Sequence, residues 1–142
     1  MFLLDTNVIS EIRKGSRCDR NVAAWYGSTE ARDLYLSVLV TGEIRRGIER
    51  VRPRDPERAS VFEQWLASID IAFAGRILPV DRAVADEWGK FSALRTIPVP
   101  DALLAATASV HGMTLTTRNE TDVAGLGIAV LNPFRLSAEP RC

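Results

Sequence analysis

Leu3-Leu4-Asp5-Thr6-Asn7-Val8-Ile9-Ser10 is the stretch on which the fold turns. Phe2-Leu3-Leu4 is a short apolar run that reads as a buried strand, and Asp5-Thr6-Asn7 supplies helix-capping chemistry at its end. A short helix through about Arg13 follows, closed by Lys14-Gly15-Ser16. The signal is therefore strand, acid, helix, in immediate succession.

Downstream the same alternation recurs. Asn21 to Gly27 reads as a second helix with Val22, Trp25 and Tyr26 on its apolar side. The strand Leu34-Tyr35-Leu36-Ser37 runs into a helix from about Val38 to Arg50, where Val40, Ile44 and Ile48 recur at helical spacing. A charged, proline-bearing break at 52–56 precedes a helix from Glu57 to Ile69. Ile77-Leu78-Pro79-Val80 reads as a buried segment, after which Asp81 caps a helix carrying Val84, Trp88 and Phe91. Ile97-Pro98-Val99-Pro100 reads as an extended lead-in to an apolar helix, Asp101 to His111, closed by Gly112. Thr114-Leu115-Thr116 and Ile128-Ala129-Val130-Leu131 are the last strands, separated by a loop or short helix. Short strands alternating with helices predict an α/β fold, a parallel sheet flanked by helices on both faces.

The chain has 142 residues, the size of one domain with one core, and its 46% hydrophobic and 25% charged content is that of a globular protein. No segment approaches the roughly 18 to 20 apolar residues of a membrane span. Asp5 interrupts the early hydrophobic run and no basic region precedes it, so a cytoplasmic location is expected. Cys18 and Cys142, without CxxC spacing, read as bystanders. Eighteen basic residues balance 18 acidic ones, so no global field draws the chain to nucleic acid. Sixteen of the 18 are arginine, which fits phosphate recognition and equally fits a GC-rich coding sequence.

In open α/β sheets, ligands bind beyond the carboxyl ends of the strands. Asp5, Glu43, Asp101, Asn119 and Asp122 all follow strand-like segments, and this topology brings such positions together. Each also has a plain structural explanation. Asp5 can simply cap its helix, Glu43 can pair with Arg46, and Asp101 can complement a helix dipole. Asp101 resists that explanation best, because Leu104, Ala105 and Ala108 make its side of the helix apolar and a buried carboxylate needs a partner.

Three converging carboxylates raise one another's pKa values, and a divalent cation removes the conflict. Hard oxygen ligands suit Mg²⁺ or Mn²⁺, which can activate water and clamp phosphodiester oxygens. Such chemistry needs no histidine base, and the single histidine, His111, sits where a C-terminal capping residue belongs. The sequence contains no GxGxxG, no GxxxxGK[ST] and no GxSxG, which argues against nucleotide-binding loops and α/β-hydrolases. Phosphatases with an aspartyl nucleophile carry DxD, and the second position here is Asn7.

The opening Leu3 to Ser10 resembles PIN-domain ribonucleases, particularly the VapC-type toxins of bacterial toxin–antitoxin pairs. The likeness continues at Leu36-Ser37 with Thr41-Gly42-Glu43-Ile44 and Gly47, then at Ile77 to Asp81 and Pro100 to Ala108. It ends with Leu115-Thr116-Thr117-Arg118-Asn119 and Val130-Leu131-Asn132-Pro133-Phe134, and so spans about residues 1–134. The resemblance implies a PIN-like, five-stranded parallel sheet, a homodimer, and Mg²⁺ or Mn²⁺ at a carboxylate cluster. It implies endonucleolytic cleavage of RNA, held in check by a cognate antitoxin, with operator DNA reached only through the antitoxin complex.

By position, Asp5, Glu43 and Asp101 match the family's metal-binding catalytic acids, and Asn7 and Thr117 match small polar supporting positions. Where a fourth acid commonly follows Thr-Arg, this chain has Asn119, whose amide can bind a hard cation or water without bringing charge. Asp122 is the acid nearest to hand as a substitute, and a solvated loop acid otherwise. Two alternatives stay open: a non-enzymatic component of a DNA-binding toxin–antitoxin complex with an impaired site, and a DNA-directed nuclease. The crowd Arg45, Arg46, Arg50, Arg52, Arg54 and Arg58 either tracks RNA phosphates or is the solvated face of two helices. The tryptophans read as packing residues, and 135–142 as a dispensable, mobile tail.

Overall fold

In the computed structural model, residues 1–135 are described; the tail expected at 135–142 falls, apart from Arg135, outside them, as does Cys142. Five strands, β1 (Phe2–Leu4), β2 (Leu34–Ser37), β3 (Ile77–Leu78), β4 (Thr114–Thr116) and β5 (Val130–Leu131), form one parallel sheet in the order β3-β2-β1-β4-β5. Six α-helices connect them: α1 (Thr6–Ile12), α2 (Arg20–Gly27), α3 (Val38–Val51), α4 (Pro56–Ala72), α5 (Arg82–Leu94) and α6 (Val99–His111).

From β1 the chain steps outward to β2 and β3, then returns across the sheet to β4 and β5. Right-handed crossovers in opposite lateral directions put α1–α4 on one face and α5 and α6 on the other. The packing agrees: α1 touches α2 and α3, α3 touches α4, and α5 lies along α6. The reversal makes the gap between β1 and β4 the topological switch point. Leu4 pairs in register with Thr116, so the residues just beyond, Asp5 and Thr117, emerge side by side.

Leu3, Leu4, Leu36 and Leu115 are buried in the strands, against Val40 and Ile44 from α3 and Leu104 from α6. α6 buries Ala102, Ala105, Ala106 and Ala108, small side chains that bring its axis close to the sheet. Thr107 is also fully buried there, its hydroxyl satisfied by Leu103 O at 2.8 Å. Ser37 ends β2 and caps α3 through Leu39 N–H at 3.1 Å. Gly112 closes α6 at φ 63, the left-handed geometry that a residue with Cβ resists.

Several boundaries differ from the sequence reading. Val99 and Pro100, expected to be extended, form the first turn of α6, because the N–H that proline lacks has no helical partner there. Asp101 stays in that first turn. β3 ends at Leu78, and Pro79 and Val80, read as part of a buried segment, are exposed. β5 is confined to Val130–Leu131 rather than starting at Ile128, and α4 continues past Ile69 to Ala72, with Phe73 as its C-cap and Gly75 at φ 77.

Candidate metal centre

Asp5 is the hub of the site. It caps α1, its Oδ1 accepting from Thr6 N–H at 2.6 Å, while its own N–H donates to Thr116 O at 2.9 Å. Its Oδ2 accepts the Thr117 hydroxyl at 2.7 Å and, more weakly, the Asn7 amide at 3.4 Å. The Thr117 hydroxyl in turn accepts Asn119 N–H at 3.0 Å, and Asn7 Oδ1 accepts Arg118 N–H at 3.3 Å. Both supporting residues thus tie the end of β1 to the loop after β4. Burial raises the Asp5 carboxyl above its ordinary range, with the bonds from Thr117 and Thr6 working against the rise.

Glu43 comes from the second turn of α3. Burial first, and the nearby Asp5 charge second, push its pKa up, tempered by Thr6 and by Arg46. The Thr6 hydroxyl that tempers it closes no well-formed hydrogen bond on its inner oxygen: Glu43 Oε1 and Thr6 Oγ1 are both buried without a partner at bonding distance and angle. An acceptor stripped of water and left without a donor is an unusual expense in a folded interior, and it fits a group meant to hold something else. The surface pairing with Arg46 weighed for Glu43 therefore leaves its buried oxygen unexplained.

Asp101, from the first turn of α6, has its pKa raised to about 6. Burial is the largest cause, followed by the charges of Asp5 and Asp122 and, least, Glu43; a hydrogen bond from Asn119 acts in the opposite sense. Acids from the N-cap of α1, from α3 and from α6 thus share one field. Asn119 and Asp122 both act on Asp101, the amide lowering its pKa and the acid raising it, so neither is set apart as the residue that completes the site. Asp122 sits in a single 3₁₀ turn, Glu120–Val123, whose backbone is clamped from the end of α5: Arg95 Nη2 donates to Asp122 O and Ala124 O, each at 2.9 Å.

Sequence reasoning missed Thr6 and Arg95. Thr6 had a readable signal, as the residue between two site positions at a helix start. Arg95 had none, because its partners are carbonyls 27 and 29 residues away.

Among the described residues, no three acidic, histidine or cysteine side chains are drawn together tightly enough to form a ready-made cage. The donor set nevertheless suits a hard cation. It is all oxygen, its carboxylates are held at raised pKa values by burial and mutual repulsion, and one oxygen is orphaned. His111 lies at the far end of α6 from Asp101, outside this group. Beside Glu43 and Thr6 opens a largely apolar groove of about 300 Å³, walled by Ile44, Ile48, Phe62 and Trp65 of α3 and α4. No helix among the described residues is long and apolar enough to cross a membrane.

Comparison with known proteins matches residues 2–124 to the PIN domain. Toxin FitB of Neisseria gonorrhoeae is 35% identical over 139 residues, covering 94% of this chain and 99% of that protein. A VapC ribonuclease of Sinorhizobium fredii is 34% identical over 140 residues, covering 94% and 98%. Among solved structures, FitAcB from Neisseria gonorrhoeae superposes with a TM-score of 0.85 at 35% identity, covering 96% of this chain and 100% of that one. A toxin–antitoxin complex from Klebsiella pneumoniae shares the fold, with a TM-score of 0.73 at 22% identity and coverage of 96% and 100%. With a parallel sheet of this order and acids gathered at its switch point, the chain belongs to the PIN-domain family, among the VapC-type toxins.

Proposed function

We propose that the chain is a divalent-metal-dependent endoribonuclease that hydrolyses RNA phosphodiester bonds and is neutralised by a cognate antitoxin. The observation that carries this reading is Asp101, lifted to about 6 by burial and by acids from three other segments. Carboxylates in such conflict at a strand-end crevice suit a cation-binding site.

Asp5, Glu43 and Asp101 would hold the ion, with Mg²⁺ favoured and Mn²⁺ acceptable to the same oxygens. A bound cation supplies charge neutralisation for the cluster and Lewis-acid polarisation of phosphoryl oxygens. Asp5 is fixed by Thr6 and Thr117, so its carboxylate is pre-aimed with little orientational freedom left to lose. The unpartnered Glu43 Oε1 is the group free to accept a proton from an attacking water or to orient it. Asn119, beside Asp101, keeps that carboxylate in place and adds a neutral donor where a fourth acid would deepen the repulsion.

The relatives support the partner assignments. FitAB of Neisseria gonorrhoeae is described bound to a DNA fragment, and its toxin-like chain covers 96% of this one. The balanced charge of the present chain suits a role in which operator DNA is reached through the antitoxin rather than directly. A homodimer belongs to the same reading, and its contact surface is to be found by experiment.

The test uses purified protein freed of any co-purifying partner, a mixed-sequence RNA and a DNA of the same sequence, in Mg²⁺ or Mn²⁺ with a chelator arm. Cutting of RNA alone, abolished by chelator and by Asp5→Asn, is the expected result. Cutting of DNA in preference, or cutting indifferent to chelator, would overturn the assignment.

A further inference from the structure

The arginines that crowd α3 and α4 in sequence divide into two groups in space. Arg45 and Arg52 converge on Glu63 at 2.6 Å each, and Arg52 also binds Glu49 at 3.0 Å, so these two brace α3 against α4. Arg58, on α4, takes the opposite course and joins two arginines from a distant part of the sequence. With Arg13 and Arg17, from the end of α1 and the turn after it, Arg58 lines a bay of about 470 Å³.

The construction of this bay is specific. The Phe62 ring takes the Arg13 guanidinium at 4.7 Å and the Arg58 guanidinium at 5.4 Å, and Arg13 also lies over Trp65 at 5.5 Å. Stacking uses the faces of these cations and leaves the N–H donors on their edges for a planar or tetrahedral oxyanion. None of the three is in an ion pair among the described residues. Of the two acids on the wall, Asp55 is engaged in capping α4 through Arg58 N–H at 3.1 Å, and Glu57 remains beside it. Arg58 and Phe62 also line the groove that begins at Glu43 and Thr6, so the bay and that groove adjoin across these two side chains. At about 1.5 Å per helical residue, Arg13 stands roughly 10 Å beyond Thr6 along α1.

We propose that Arg13, Arg17 and Arg58 form a phosphate-binding subsite that grips the RNA backbone away from the bond being cut. This rests on the ribonuclease reading above and adds where the strand runs. A phosphate held at this distance belongs to a different nucleotide from the scissile one. The subsite therefore acts in binding and register and contributes nothing to a substrate too short to reach it.

The test is anisotropy of a labelled, mixed-sequence RNA of about 12 nucleotides, in chelator so that no strand is cut, over a salt series. In Arg13→Gln/Arg58→Gln, affinity is expected to fall roughly tenfold or more. The slope of log affinity against log salt should become shallower by about 0.7 for each phosphate no longer neutralised. Arg13→Lys/Arg58→Lys should recover the slope and only part of the affinity, because the point charge lacks the guanidinium fork. If the double Gln variant melts abnormally, Arg17→Gln carries the test, since that side chain stacks on neither ring. Wild-type binding with no change of slope in the variants overturns the subsite and leaves the ribonuclease reading standing. Absence of RNA binding by the wild type in chelator overturns the subsite alone, because the carboxylate cluster then lacks its cation and the cleavage test in Mg²⁺ still decides the ribonuclease reading. Unchanged RNA affinity with weakened affinity for the antitoxin overturns the subsite by making the bay a protein-binding surface.

Discussion

Asp5 serves the fold and the site with one carboxylate. One oxygen ends β1 by capping α1, and the other is turned toward β4 by the Thr117 hydroxyl. Capping and a place in the proposed metal site, rival explanations in the sequence, are compatible in this geometry. Thr117→Val removes the donor, deprives Asp5 Oδ2 of its strongest bond, and leaves the Asn119 N–H without the Thr117 hydroxyl oxygen that accepts it. Stability should fall by about 1–3 kcal/mol, measured by urea unfolding, with cleavage falling further than stability explains. Thr117→Ser, which keeps the hydroxyl, should restore most of both. The acids are legible one by one because each follows an apolar run, but the hydroxyls that aim them are only partly so. Thr117 stands in a recognisable block, whereas Thr6 is one more residue in a capping sequence until the orphaned Glu43 oxygen shows what it sits beside.

The helices read well from spacing, and their junctions less so. α3 declares itself through Val40, Ile44 and Ile48, and the chain break before α4 through Pro56 and Asp55. The start of α6 reads wrongly because prolines signal both extended chain and a helical first turn, and only the tertiary setting decides between them. The 3₁₀ turn carrying Asp122 reads equally as loop or short helix, since what fixes it is a clamp from the end of α5 rather than its own residues. Arg95→Gln should release that turn. The expected outcome is faster amide exchange at Glu120–Val123 and a loss of cleavage, with little change in melting temperature because Arg95 is exposed. Protection of those amides unchanged from wild type would mean that the turn holds itself.

Across the whole molecule the sheet order creates the electrostatic conflict, and the conflict has a thermodynamic signature. Asp5, Glu43 and Asp101 all titrate above their ordinary range, Asp101 near 6. Between about pH 4 and 6 the folded protein therefore holds more protons than the unfolded chain, and its stability falls as pH rises through that window. In chelator, the melting temperature should rise as the pH is lowered from 7 toward 5. Glu63, held at about 2 by Arg45 and Arg52, and Glu49, lowered by the same arginines, act in the other sense, chiefly below the ordinary glutamate value and so at the acid edge of this window. Mg²⁺ should raise the melting temperature at pH 7 and do so less at pH 5, because protons and cation compete for the same oxygens. A melting temperature that climbs steadily from pH 5 to 7 in chelator would contradict the crowding of acids at the switch point.

That crowding is tested most directly at Asp101, where burial and repulsion meet. Single-turnover cleavage of a mixed-sequence RNA should be followed across a Mg²⁺ titration for the wild type and Asp101→Asn, with a thermal melt of each in chelator. Metal-dependent cutting is predicted for the wild type and none for the variant. The variant should melt at or above the wild-type temperature at pH 7, because it carries one less ionised acid in the cluster. A folded Asp101→Asn protein that cuts RNA with an unchanged Mg²⁺ dependence would remove Asp101 from the site and the central claim with it.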